Sequence, residues 1–82
     1  EFIVLLPQTG PHEAFDTAQG LRHGIATLPP PIGQNSLELT ASFGISFTAS
    51  TRMLNEVTAH AEDALYQAKR DGSNLVRMQL ID

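Results

Sequence analysis

The sequence predicts an α+β two-layer sandwich in which a strand, a helix, a strand, a helix and a strand follow one another. Apolar residues recur at helical spacing over 11–28 and 52–70, whereas they alternate with polar residues over 36–47. Short apolar runs at 2–6 and 75–80 flank this pattern. Strands that alternate with helices in this way favour a sheet covered by helices on one side.

The first two elements are marked by prolines. Phe2–Leu6 is an apolar run closed by Pro7, which predicts a strand buried on both faces. Pro11–Leu28 has the helical period, with a proline at the first position, where its fixed φ suits a helix. Its apolar stripe consists of Phe15, Ala18, Leu21, Ile25 and Leu28. We expect Gly20 and Gly24, inside this helix, to pack closely against the sheet.

The middle of the chain predicts a loop and then a long strand. Residues 29–35 contain three consecutive prolines and form a loop, because proline lacks the amide donor that a helix needs. Ser36–Phe47 alternates without a break, so one face is apolar and the other polar. Gly44 lies on the polar face, where a missing side chain suits either a bulge or a close neighbour.

The last two elements are a helix over Arg52–Arg70 and a strand over Leu75–Leu80. Gly72 supplies the C-terminal stop of the helix, because glycine adopts the left-handed conformation that ends many helices. The buried stripe of the helix is Leu54, Val57, Ala61, Ala64, Leu65 and Ala68. The final strand is expected at an edge of the sheet.

Composition restricts the classes of protein. The chain has 82 residues, no cysteine and a formal net charge of −4. The lack of cysteine excludes a disulfide scaffold and a thiolate metal site. The acidic balance argues against DNA, RNA or an anionic membrane as a partner. No apolar run reaches the roughly 18–20 residues of a membrane span, so we expect no membrane contact from this segment. The expected location is cytoplasmic, whether or not the intact protein is tethered to a membrane or a sensor domain.

The start of the chain predicts a fragment. Glu1 opens the sequence without an initiator methionine or a basic leader, and the apolar run follows directly. A natural domain rarely begins with its most hydrophobic segment. We therefore interpret residues 1–82 as a single partial domain whose N-terminal part lies upstream.

Three segments carry a recognisable pattern. Residues 1–7 read E-F-I-V-L-L-P, residues 39–45 read L-T-A-S-F-G-I, and residues 61–74 read A-E-D-A-L-Y-Q-A-K-R-D-G-S-N. They resemble the end of the GGDEF signature with its following strand, the T-x-S-x-G-[IV] strand and the A-D-x-A-L-Y-x-A-K-x-x-G-R-N block, in that order. The chain thus resembles the C-terminal half of a GGDEF domain, the catalytic domain of bacterial diguanylate cyclases. The implied fold is of the nucleotide-cyclase/ferredoxin-like type.

The resemblance implies a reaction and its partners. Such enzymes condense two GTP into cyclic di-GMP and release two pyrophosphates, and each domain of a homodimer holds one GTP. Two Mg²⁺ ions assist by lowering the pKa of the attacking hydroxyl and by neutralising phosphate charge. Magnesium suits this role because it prefers hard oxygen ligands and shares phosphate oxygens.

Three residues are carried over by position. Glu1 matches the second acidic residue of the signature and is implied as a metal ligand; the alternative is a solvated carboxylate at the chain end. Lys69, the sole lysine, matches the lysine that contacts nucleotide phosphates; the alternative is a surface lysine along apolar neighbours. Ser73 stands where the family has a phosphate-contacting arginine, so it implies a weakened contact without positive charge. Phe2 is expected to pack under the signature hairpin.

Three interpretations therefore stay open. The first is part of a diguanylate cyclase domain, inactive alone because one acidic residue and one lysine cannot perform two-metal chemistry. The second is a degenerate GGDEF domain that binds nucleotide or a partner without catalysis. The third is an unrelated ferredoxin-like module with a chance match. The histidines His12, His23 and His60 are expected to have surface or capping roles.

Overall fold

The structure is a computed structural model that describes residues 1–29 and 39–81. Its elements are α1 (Pro11–Ala26), β1 (Phe43–Phe47), α2 (Leu54–Arg70) and β2 (Val76–Leu80). The two strands are parallel, with Phe43 opposite Val76, and α2 is the crossover that parallel neighbours require. The described residues thus form a small α+β unit of two helices and a two-stranded parallel sheet, as the sequence predicts at this level.

Small side chains make up the core. The buried apolar residues are Ala14, Ala18, Ala64, Ala68 and Val76. Both helices contact both strands, and alanines at the contacts let the helix backbones approach the sheet closely. The predicted α1 stripe is correct for Ala18, and its members Phe15 and Ile25 are half-buried. It is wrong for Leu21 and Leu28, which are 54% and 60% exposed.

Helix α1 begins at Pro11 as predicted, and the amide of Ala14 donates to the Gly10 carbonyl at 3.0 Å. It ends two residues before the expected Leu28. The amide and Oγ1 of Thr27 both donate to the His23 carbonyl, at 3.1 and 2.9 Å, and this closes the last turn.

The expected close packing of Gly20 and Gly24 is wrong. A Cβ placed on either residue meets no atom within 4 Å. The helix turns its alanine face, with Ala14 and Ala18, toward the sheet, and the glycines lie elsewhere on its circumference.

Strand β1 is shorter than the predicted Ser36–Phe47. Residues 39–42 are not strand, and residues 36–38 lie outside the described residues, as does the predicted loop from residue 30 onward. The ladder begins where the Phe43 amide donates to the Leu75 carbonyl at 2.9 Å, and β2 offers only five residues for pairing. Alternation of apolar and polar residues shows which side chains share a face of a strand. The hydrogen-bonded partner strand determines where the strand begins and ends.

The polar face of β1 lies against α2. A Cβ on Gly44 would come within 2.2 Å of the Ala61 carbonyl oxygen and of the Leu65 amide nitrogen. Two residues on, the Ser46 hydroxyl donates to the Val57 carbonyl at 2.6 Å. The close neighbour that Gly44 leaves room for is therefore the backbone of α2.

Helix α2 begins at Leu54, two residues after the predicted Arg52, and ends at Arg70 as predicted. Glu56 in its first turn and Lys69 in its last turn both have the charge that the helix dipole favours there. Among the described residues, neither helix combines the length and the hydropathy that a bilayer crossing requires.

The prediction of a buried strand over Phe2–Leu6 is wrong in this structure. The segment is not strand, and Phe2 is 96% exposed. The predicted packing of Phe2 is therefore wrong here as well. An extended apolar run becomes a strand only when a neighbour pairs with its backbone, and β1 and β2 pair only with each other in the described sheet.

Candidate functional site

A cleft of about 1180 Å³ runs along β1, and we call it the β1 cleft. Its walls are residues 1–10, one side of α1, β1 itself and the face of α2 that turns toward β1. The lining is largely apolar, and its charged members are Glu1, Glu62 and Lys69. Two of the three residues that the sequence singles out, Glu1 and Lys69, therefore line the same cleft.

Lys69 reaches the cleft from the last turn of α2. Its neighbour Ala68 is fully buried, while Lys69 itself is exposed, so it lies at the rim of the packed face. No carboxylate lies within ion-pair distance of its ammonium among residues 1–29 and 39–81. An ammonium without an acidic partner, at the mouth of a cleft, is available for an anionic ligand.

Glu1 lies on the same cleft, at the exposed start of the chain. Glu62, in the middle of α2, also contributes to the lining. The described part of the chain contains no group of three or more acidic or histidine side chains that could hold a metal ion. Glu1 therefore offers a single hard oxygen ligand rather than a complete site.

Ser73 lies outside the cleft lining, in the turn after α2. Its amide donates to the Ala68 carbonyl at 3.0 Å, and the amide of Gly72 donates to the Lys69 carbonyl at 3.4 Å. These two bonds form a Schellman motif, in which Gly72 has φ +126°. The backbone of Ser73 thus ends the helix that carries Lys69, and its side chain stays at the surface.

The same turn is held by ion pairs. Asp71 accepts hydrogen bonds from Arg77 Nε at 3.2 Å and from Arg70 Nε at 3.4 Å. The hydrogen bond from Arg77 lowers the pKa of Asp71 below its ordinary value; desolvation opposes this, and Arg70 lowers it further. Because the folded-state pKa is depressed, the pairing is complete above the ordinary pKa and is lost as pH falls through the lowered one.

A row of hydrogen-bonded polar side chains connects α2 and β2, and no sequence pattern predicts it. Gln79 Nε2 donates to Asp63, so Gln79 Oε1 accepts the bond from His60 Nδ1, at 2.8 Å. His12 pairs with Asp16 at 3.2 Å on the exposed side of α1. Contacts between residues 19 apart, such as His60 and Gln79, leave no periodic signal in a sequence.

Comparison with known proteins gives consistent matches. The family model described as "Diguanylate cyclase, GGDEF domain" matches residues 1–75. The probable diguanylate cyclase DgcF of Escherichia coli (strain K12) is 32% identical over 79 residues, which cover 90% of this chain and 25% of that protein. The diguanylate cyclase DgcM of the same strain is 34% identical over 77 residues, covering 93% of this chain and 18% of that protein.

A third relative is a response regulator. PleD of Caulobacter vibrioides (strain NA1000 / CB15N) is 33% identical over 79 residues, which cover 93% of this chain and 17% of that protein. The chain thus spans a quarter or less of the length of these curated relatives. No solved structure matches it significantly.

Proposed function

Because the chain belongs to the GGDEF domain family of diguanylate cyclases, we propose that it is part of a domain that condenses two GTP into cyclic di-GMP. Family membership rules out the unrelated module with a chance match. The observation that carries the proposal is Lys69, which lies at the mouth of the β1 cleft without an acidic partner among the described residues. In the intact domain, the four elements form part of a two-layer sandwich.

The proposed reaction joins two nucleotides symmetrically. The 3′-hydroxyl oxygen of one GTP bonds to the α-phosphorus of the other, the bond to the β-phosphate oxygen breaks, and pyrophosphate leaves. The hydroxyl proton passes to solvent, and the second closure repeats the step. The Lys69 ammonium binds the phosphate oxygens and stabilises their negative charge, which increases as the bond to pyrophosphate breaks.

Magnesium is the proposed cofactor of the intact domain. Glu1 is the residue of this chain that would bind it, since a carboxylate is the hard ligand that Mg²⁺ prefers. When bound, the ion would supply charge neutralisation at the phosphates. Glu1 alone leaves most coordination positions to phosphate oxygens, water or other residues, so we propose that the 82-residue chain by itself is inactive.

Partners and location follow from the same proposal. GTP is the substrate, two domains form a homodimer, and the domain works in the cytoplasm without DNA, RNA or a membrane as a ligand. The net charge of −4 supports the exclusion of DNA, RNA and anionic membranes as ligands, because it disfavours contact with polyanions.

Lys69→Ala tests the proposal in the full-length protein that carries this chain. We expect GTP affinity to fall by about 2 kcal/mol, roughly thirtyfold, because a charged hydrogen bond to phosphate is lost. Calorimetry measures the affinity, and chromatography measures cyclic di-GMP.

Arg70→Ala is the matched control for charge, because Arg70 is the next residue, lies outside the cleft lining and leaves Asp71 paired with Arg77 at 3.2 Å. It should bind GTP nearly as the unchanged protein does. The 82-residue chain should yield no product above blank. Equal affinity in Lys69→Ala and the unchanged protein would contradict the proposed phosphate contact.

Ser73→Arg tests the weakened contact. Ser73 is exposed in the turn that ends the helix bearing Lys69, so a longer cationic side chain there is not confined by a packed interior. We expect GTP to bind more tightly by roughly 1–3 kcal/mol in the full-length protein. Calorimetry again provides the measurement, and an unchanged or weaker affinity would mean that residue 73 does not face the phosphates.

The second candidate function is a non-catalytic GGDEF domain that binds nucleotide or a partner. The neutral Ser73 favours it, because one cation fewer weakens the hold on a highly charged substrate. GTP binding without product in the full-length protein would support this candidate over the cyclase.

A further inference from the structure

The turn after α2 has an unusual backbone. Three consecutive residues have positive φ: Gly72 at +126°, Ser73 at +60° and Asn74 at +54°. A side chain disfavours this backbone region for Ser73, whereas asparagine adopts it more readily than most residues. Such a turn persists when contacts elsewhere in the molecule hold it.

Asn74 makes the contacts that hold the turn. Its Oδ1 accepts a hydrogen bond from Arg22 Nη1 at 3.1 Å, and its amide donates to Ser42 Oγ at 3.0 Å. Arg22 lies on α1, 52 residues away in sequence, and Ser42 directly precedes β1. One asparagine therefore joins α1, the start of the sheet and the end of α2.

Arg22 is itself held in place. Its Nε donates to Gln19 Oε1 at 2.7 Å, one turn earlier on α1, and its side chain is half-buried. Two nitrogens of the planar guanidinium thus bond in two directions, toward Gln19 and toward Asn74. A lysine ammonium has no such fixed geometry.

We infer that Arg22 is a positioning residue for the phosphate site, because its bond to Asn74 fixes the turn that ends the helix bearing Lys69. The inference rests on the proposed phosphate contact of Lys69. Only a short stretch of backbone separates Asn74 from Lys69. The Gly72 amide donates to the Lys69 carbonyl, and Asn74 is two residues after Gly72. Arg22 acts on the ligand through this turn.

The test uses the full-length protein and four variants: Arg22→Gln, Arg22→Lys, Asn74→Gly and the Arg22→Gln/Asn74→Gly double variant. Glycine at 74 accepts the positive φ while removing the Oδ1 acceptor. Calorimetry, run well below the melting temperature of each variant, gives the dissociation constant for GTP. Hydrogen exchange measures how strongly the Ser73 amide is protected. Arg52→Gln is the matched control, because it removes the same charge from a residue that lies just before α2.

We expect Arg22→Gln, Arg22→Lys and Asn74→Gly each to weaken GTP binding about tenfold and to speed exchange at Ser73. The double variant should bind GTP no more weakly than the single variants, since each of them already removes the bond between Arg22 and Asn74. Arg52→Gln should change neither readout. Near-normal binding by Arg22→Lys would overturn the inference, because charge alone would then suffice.

Two other outcomes are equally decisive. Lower melting temperatures with unchanged GTP affinity and unchanged exchange at Ser73 would overturn the inference, because Arg22 would then only stabilise the fold. If the unchanged protein fails to bind GTP, or if Lys69→Ala binds it normally, the proposed function fails separately. Exchange at Ser73 then decides by itself whether Arg22 holds the turn.

Discussion

Gly44→Ala is expected to disrupt the packing of α2 on β1 and to unfold most of the chain. The added methyl carbon would lie 2.2 Å from the Ala61 carbonyl oxygen and 2.2 Å from the Leu65 amide nitrogen. Both are backbone atoms in the middle of α2, so no side-chain rotation can make room. The helix must move away from the strand, and Ala64 and Ala68, which are fully buried, lose contacts.

The expected loss exceeds ordinary overpacking, which costs about 1–3 kcal/mol, because a helix rather than a side chain must shift. A domain of this size has roughly 4–12 kcal/mol of stability in total. Urea unfolding followed by circular dichroism measures the change in the free energy of unfolding.

Gly20→Ala provides the control. No atom lies within 4 Å of a Cβ at this position, and the residue is inside α1. The same substitution should therefore stabilise the chain by about 1 kcal/mol, through helix propensity. If Gly44→Ala melts at or above the unchanged chain, α2 does not lie against Gly44 as described.

The two glycine environments illustrate what the sequence could predict about the fold. Periodicity placed both helices and the final strand within two residues of their bounds, because amphipathic spacing is local information. The sequence predicted close packing at Gly20 and left either a bulge or a close neighbour open at Gly44, although of the two only Gly44 has an atom within 4 Å of its Cβ position. Which face of an element meets another depends on tertiary packing, and a single sequence does not encode that locally.

The strand predictions for residues 2–6 and 39–42 were wrong for a related reason. Alternation extended β1 back to Ser36, and an apolar run suggested a strand over Phe2–Leu6. Both patterns describe side chains, whereas a strand requires a hydrogen-bonded neighbour. Strand β2 supplies five residues of pairing to β1, and Phe2–Leu6 has no partner in the described sheet.

The candidate site was predictable where a motif carried it. Glu1 and Lys69 were identified by the family pattern, and both line the β1 cleft. Arg22 could not be assigned a role, because its contact with Asn74 crosses 52 residues. The one local indication of this contact was the asparagine at position 74, shortly after Gly72, since asparagine tolerates the positive φ of a tight turn.

The isolated 82-residue chain is expected to self-associate rather than remain a stable monomer. The segment Phe2–Leu6 carries no charge, and its members are largely exposed, from 45% at Leu6 to 96% at Phe2. It borders a largely apolar cleft along β1, which pairs only with β2 in the described sheet. Strand edges beside uncharged apolar segments pair with other chains, so dimerisation, exchange of elements or aggregation should follow.

Sedimentation at micromolar concentrations measures the association, and two lysine variants locate it. Val4→Lys places a charge in the segment at a residue that is 74% exposed, and Met53→Lys does so just before α2 at one that is 73% exposed. Because the two sites are equally exposed and the substitutions add the same charge, only the position differs. Val4→Lys should restore monomer, since a buried lysine opposes strand pairing, whereas Met53→Lys should associate nearly as the unchanged chain does. A single monomeric species with a cooperative melt for the unchanged chain would show that the exposed segment does not drive association.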